Sequence, residues 1–306
     1  MTILLPYGII IKTGIDAMKG AIHMIQQFPR TTVGGVSMPR LLIGTNWLLG
    51  WSHTGAAADQ GIREKFSKPE DFYPVFRAYL DYGINAVMGP VSTTPLCLDA
   101  IRYAEDKSGK KIIIIDTPGM NVDDSAEARR SAERTIKRSA EIGSTFCLIH
   151  HVSAEQLVNK NLAAMPRLPD YLSMIRDAGM LPGLSAHMPE LVTYSDANGY
   201  DVETYIQIFN CMGFLMQVEV ESVARIIQNA KHPVMTIKPM AAGRTTPYVG
   251  LNFNWAVLRE RDMITVGAGS EAEAREDIEI SLAALERRAP KLGARSSPMK
   301  QNILGH

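Results

Sequence analysis

From Arg40 onward, short apolar runs alternate with amphipathic stretches rich in Ala, Glu and Arg. Leu41-Leu42-Ile43-Gly44 reads as a first strand, and 70–82 as a helix with Phe72, Val75, Phe76 and Tyr79 at helical spacing. Residues 83–88 form strand two and 96–107 a helix. Lys111–Asp116, with isoleucine at 112–115, suits a strand buried on both faces. A long helix over 125–142 follows, with Asp123 and Asp124 near its positive end. Thr145–Ile149 is strand four, 171–178 a helix, 182–185 strand five, and a helix begins at Glu190. Strand six is 204–209, a helix covers 220–230, strand seven is 233–238 and strand eight 263–266. The last helix, 270–288, opens with Ser270 and has Glu273 three residues on, a capping-box pattern.

Eight strand–helix alternations with short connections predict an α/β fold, a (β/α)8 TIM barrel. An open doubly wound sheet is the alternative. It is weaker because Gly44-Thr45-Asn46-Trp47 is not a GxGxxG turn. The expected domain spans 29–290, after an N-terminal extension at 1–28 and before a polar tail at 291–306. The extension is apolar at Ile3–Ile11 but broken by Pro6 and Gly8. It is too short to span a bilayer and lacks a basic start. A strand and a helix covering one barrel end is the expectation there.

Composition narrows the class. Of 306 residues, 46% are hydrophobic and 21% charged, enough to bury a sizeable core. Lys+Arg and Asp+Glu balance at 32 each, so charge offers no reason to expect nucleic acid or an anionic membrane as partner. A small-molecule substrate is the expected partner, with a homo-oligomer compatible. The three cysteines are widely spaced without a CxxC pair, which suits a reduced, cytoplasmic protein.

In such a barrel, function sits on the loops after the strands. Strand three ends at Asp116, strand four at His150 and His151, strand five at Ser185-Ala186-His187. Imidazoles and a carboxylate on adjacent strands are a ligand set for zinc, manganese or iron, with Glu219 a further carboxylate. The same Asp116, His150 and His187 also suit a metal-free acid/base site. Neighbouring strand residues face opposite ways, so His150 and His151 share the pocket only if the strand has already ended. After strand eight, Gly267, Gly269 and the helix opening at Ser270 suggest an anion cradle, with Lys238 and Arg244 nearby. The loop with Trp47, Trp51 and His53 could stack on a flat ligand or simply pack.

Taken together, these segments resemble the aldo-keto reductases from about Pro29 to Arg287. Arg30–Gly35 is similar to the family's opening hairpin, and Leu148-Ile149-His150 to the segment carrying its active-site histidine. Gly183-Leu184-Ser185 and Ile206-Gln207-Ile208-Phe209-Asn210 resemble the strands whose serine and glutamine hold the nicotinamide amide. Lys238–Arg244 and Thr265–Glu273 resemble the units that bind the cofactor's phosphates. The resemblance implies NADP held by Ser185, Gln207, Lys238, Arg244, Gly267, Gly269 and Ser270. The family's catalytic tyrosine and aspartate after strand two have no counterpart in Met88-Gly89-Pro90-Val91-Ser92. Asp116 stands where its lysine would be, and Ala186 replaces the asparagine after Ser185.

The expectation is therefore an Asp/His enzyme, metal-assisted or not. Lyase, isomerase/epimerase and hydrolase chemistry on a small hydroxylated or phosphorylated carbonyl compound all fit. An NADP-dependent oxidoreductase using His150 as acid is the alternative. A non-catalytic barrel that binds a ligand through Trp47–His53 is the third.

Overall fold

The computed structural model describes residues 2–4, 10–12 and 26–293. Strands β1 (Thr2–Leu4) and β2 (Ile10–Lys12) pair antiparallel. The expected N-terminal helix and most of the polar tail lie outside the described residues. A second hairpin joins β3 (Arg30–Val33) to β4 (Val36–Pro39). Its turn is Gly34-Gly35, both at positive φ (54° and 80°), which glycine adopts without a Cβ clash.

Eight parallel strands close a barrel in chain order: β5 (Leu41–Gly44), β6 (Ala86–Gly89), β7 (Ile113–Asp116), β8 (Phe146–Ile149), β9 (Leu181–Ala186), β10 (Thr204–Ile208), β11 (Val234–Ile237) and β12 (Met263–Val266), which returns to β5. The predicted strands are all present, shifted by at most a few residues at their ends. The connecting helices are α1 (Asn46–Leu49), α2 (Ala56–Lys65), α3 (Pro69–Asp81), α4 (Pro95–Ser108), α5 (Ala126–Glu141), α6 (His151–Ala154), α7 (Leu168–Asp177), α8 (Glu190–Asn198), α9 (Val220–Asn229), α10 (Pro247–Val257) and α11 (Glu271–Glu286). The sequence pattern did not define α1, α2, α6 or α10. In α10 the reason is physical. Tyr248, Val249, Leu251, Phe253, Trp255 and Val257 surround the helix, so no apolar stripe stands out.

Side-chain alternation sorts each strand between two cores. Leu42, Met88, Ile115, Phe146, Leu148, Ile206, Met235 and Met263 fill the barrel interior, joined by Val33 and Met38 from the hairpin. Leu41, Ile43, Val87, Ile114, Cys147, Ile149, Leu184 and Tyr205 pack outward against the helices. Cys97 and Cys147 are buried free thiols, and Cys211 is also unbridged. Among the described residues no helix is long and apolar enough to cross a membrane.

The seam where the last strands meet the first is held by charge. Asp262 is completely buried (0% exposed). Its Oδ1 accepts from Val234 N–H (2.9 Å) and Arg259 Nη2 (2.7 Å), and its Oδ2 from Arg259 N–H (2.9 Å) and Nε (2.7 Å). Arg40, just before β5, donates to the carbonyls of Asp262 (3.0 Å) and Arg259 (2.7 Å) and lies over the Trp255 ring. Removing one member strands a buried charge. Asp262→Ala should therefore cost about 3–5 kcal/mol, read as a lower urea midpoint in circular dichroism. A change under 1 kcal/mol, as is usual for an exposed pair, would contradict this account.

Candidate active site

A cavity of about 480 Å³ opens at the carboxyl ends of the strands. Its floor includes Met88, Ile206 and Ile237 and its wall includes Trp47, and His150, His151 and His187 line one sector. β8 ends at Ile149, so His150 and His151 lie beyond the strand. His150 is the N-cap of α6 and His151 its first residue, which frees both rings from strand alternation. The rings gather: His150–His151 centroids are 4.3 Å apart, and His151 stacks on His187 at 3.7 Å and 16°.

Three imidazoles this close cannot share positive charge. Burial, then the charge of neighbouring His151, pulls His150 down to about 4. Burial, with His151 and Lys238, pulls His187 to about 3; burial also lowers His151. At neutral pH the cluster is uncharged, with ring nitrogen lone pairs available.

One carboxylate joins it. Glu155 follows His151 by four residues, one helical turn, and its Oε1 accepts the N–H groups of His187 (2.7 Å) and Met188 (2.9 Å). One ligand atom each from His151, Glu155 and His187 lie within 4.8 Å of one another. Around zinc, with bonds of about 2.0–2.2 Å, ligand atoms sit roughly 3.3–4 Å apart, so the stacked His151 and His187 rings would have to turn out of parallel to aim their lone pairs at one ion. Two neutral imidazoles and a carboxylate suit zinc, iron or manganese. Sequence reasoning missed Glu155, whose one signal was the four-residue spacing from His151.

Lys238 and His53 also line the cavity. Lys238 Nζ is 2.6 Å from His53 Nε2. Burial lowers the ammonium to about 8, while burial followed by Lys238 lowers His53. His53 is held by its neighbour: Ser52 N–H and Oγ both donate to Asp59 Oδ1 (2.8 and 2.6 Å) on α2.

The proposed anion cradle is filled by the protein itself. Ser270 Oγ accepts Glu273 N–H (3.2 Å) and Glu273 Oε2 accepts Gly269 N–H (2.7 Å), the predicted capping box reaching one residue further back. Glu273, Glu276 and Asp277 line the cavity here. Gly267 has another task. A Cβ there would lie 2.9 Å from Trp47 Cδ1, so the glycine makes room for the indole.

Six expected site residues do not line the cavity: Gly269 and Ser270, which bond Glu273, and Asp116, Gln207, Glu219 and Arg244. Asp116 shares the outward face of β7 with Ile114. It is 0% exposed, and its Oδ1 accepts Ser92 N–H at 3.1 Å. Cys97 and Cys147 feel its charge, which places it between barrel and helices, away from the histidines. Gln207 shares the outward parity of Tyr205 and Phe209, while Ile206 and Ser185 reach the cavity. Glu219 is an exposed N-cap of α9. Arg244 is exposed, with its guanidinium 3.9 Å over the Phe214 ring.

No protein-family model and no curated relative matches the sequence. Solved structures do match. A Pseudomonas aeruginosa protein described as an aldo-keto reductase is 15% identical with TM-score 0.61, over 86% of this chain and 99% of that one. An aldo/keto reductase from Klebsiella pneumoniae, in complex with NADP and acetate, is 13% identical with TM-score 0.51, over 89% and 99%. Aldose reductase from Giardia lamblia is 12% identical with TM-score 0.51, over 83% and 89%. At these identities the likeness establishes the fold: an aldo-keto-reductase-like barrel over most of the chain.

The acidic end of the cavity has a measurable signature. Burial, then Glu273, raises Asp277 to about 8. A carboxyl whose folded pKa exceeds its unfolded value stabilises most at low pH, and that contribution fades as pH climbs from about 4 to about 8. Asp277→Asn should therefore melt above wild type by a margin that widens between pH 5 and pH 8, at up to about 1.4 kcal/mol per pH unit. A margin that stays flat or shrinks over that range would show Asp277 ionised in the fold.

Proposed function

We propose that this chain is a metal-assisted enzyme acting on a small hydroxylated carbonyl compound, of lyase or isomerase/epimerase type. The observation that carries the reading is the convergence of His151, Glu155 and His187 in the cavity as neutral imidazoles and one carboxylate. Ligands in the deprotonated state need no proton release at neutral pH. Glu155 is oriented by two backbone N–H groups. An ion at this site would polarise a carbonyl or hydroxyl oxygen. His150 and the Lys238–His53 pair stand ready to move protons beside it. Asp116 has no part in this reading. A phosphorylated substrate is disfavoured, because Glu273 already occupies the N–H group of Gly269.

The NADP complex of the Klebsiella neighbour favours a second reading, an NADP-dependent oxidoreductase with altered catalytic residues. Ser185, Lys238 and Gly267 on the cavity wall support it. The carboxylates at the start of α11 oppose it, since cofactor phosphates need cations or free N–H groups there.

Elemental analysis of the purified protein should find about one zinc, manganese or iron per chain. His187→Ala and Glu155→Gln should each weaken retention by more than about tenfold, since each removes one of three ligands. Absence of stoichiometric metal in the wild type would defeat the metal reading. NADPH fluorescence separates the two. Saturable binding at micromolar cofactor would favour the oxidoreductase, and none at high micromolar would count against it.

A further inference from the structure

Three non-glycine residues of the cavity wall, Lys238, His53 and Ala242, have left-handed backbones. Lys238, directly after β11, has φ 59°, and His53 has φ 60°, both in the left-handed region that side chains with a Cβ rarely adopt. Ala241 and Ala242, in the turn that follows Lys238, are also left-handed (50° and 55°). Strained backbone of this kind persists where the surroundings over-determine it, and it concentrates at functional sites. Lys238 and His53 also touch, Nζ to Nε2 at 2.6 Å. Burial lowers the amine's pKa, and among the described residues no carboxylate pairs with it. Imidazoles lie near it instead: His150, His151 and His187 all feel its charge.

We infer that Lys238 is a nucleophilic amine that forms an imine with the substrate carbonyl, with His53 as its proton-transfer partner. The inference rests on the carbonyl-substrate reading above but not on the metal. Nζ, as the free amine, attacks the carbonyl carbon, and the C=O π pair moves to oxygen. His53 Nε2 relays one proton from nitrogen to that oxygen, leaving a carbinolamine. It then takes the second nitrogen proton and delivers it to the hydroxyl, water departs, and the nitrogen lone pair forms C=N. The sum is one carbonyl and one amine in, one imine and one water out, with no redox partner. Protonated, the imine withdraws electrons from the adjacent carbon, which is what a lyase or isomerase needs. A half-buried lysine lining the cavity is the form of the residue suited to this step, and arginine in its place could not perform it.

The test is borohydride trapping on the full chain. Protein is mixed separately with glycolaldehyde, dihydroxyacetone, glyceraldehyde and pyruvate, reduced with sodium borohydride, digested and mapped by mass. The expected result is a peptide carrying Lys238 heavier by the carbonyl compound less one oxygen. It should be modified more than tenfold faster than peptides with exposed lysines such as Lys111. Lys238→Arg should lose this adduct while keeping the circular dichroism spectrum. His53→Gln should keep Lys238 but slow its labelling about tenfold. Labelling of Lys238 no faster than the exposed lysines with any of the four compounds would overturn the inference. Repeating the trapping after chelation separates the two readings. An adduct with no metal in the protein retains the lysine chemistry and discards the ion, and metal without an adduct does the reverse.

Discussion

Parity governs this molecule. A parallel strand in a closed barrel sends successive side chains alternately into the barrel and out to the helices, and closure leaves no edge where the rule relaxes. Ile115 therefore faces in and Asp116 out. Ser185 and Ile206 reach the cavity, while Gln207 does not. Only beyond the strand ends is the rule lifted, and that is where the chemistry collects. His150 and His151 follow Ile149, His187 follows Ala186, and Lys238 follows Ile237. The barrel supplies rigid posts, and the first residue or two past each post supply direction.

Much of this was legible from residues alone. The isoleucine run at 112–115, the alternations and the Ser270–Glu273 cap led to eight strands in the observed order. The histidine sector was legible too, because abrupt polar endings to apolar runs mark strand ends. What parity does from one residue to the next was not. Asp116 looks like a strand-end carboxylate, yet it ends one position out of phase with the cavity. Burial raises its pKa, against hydrogen bonds from Ser92 and from Ser139 of α5, which tie it to the helix layer. Glu155 was overlooked for the opposite reason. It lies in a short helical segment that periodicity cannot define, and its relation to His187 crosses 32 positions of sequence.

The cavity is electrically uneven. At one side lie imidazoles kept neutral by burial and by one another, beside an amine poised near neutrality. At the other, Glu273 and Asp277 face the same space from α11, with one carboxylate spent on capping the helix and the other held protonated by burial. A ligand spanning the space therefore meets lone-pair donors and a nucleophile at one end and acid groups at the other.

The Arg40–Arg259–Asp262 seam also sets the order in which the molecule can be made. Arg40 donates to a carbonyl 222 positions away, and Ile264 donates back to the carbonyl of Arg40. As the chain leaves the ribosome, β5 emerges early, but its partner β12 is among the last segments to be synthesised. Until then one edge of β5 stays unpaired and the barrel remains an open, curling sheet. Closing it joins ends far apart along the chain, which delays completion and exposes a strand edge in the nascent protein. The burden of that interval falls on speed of synthesis and on chaperones rather than on the finished barrel.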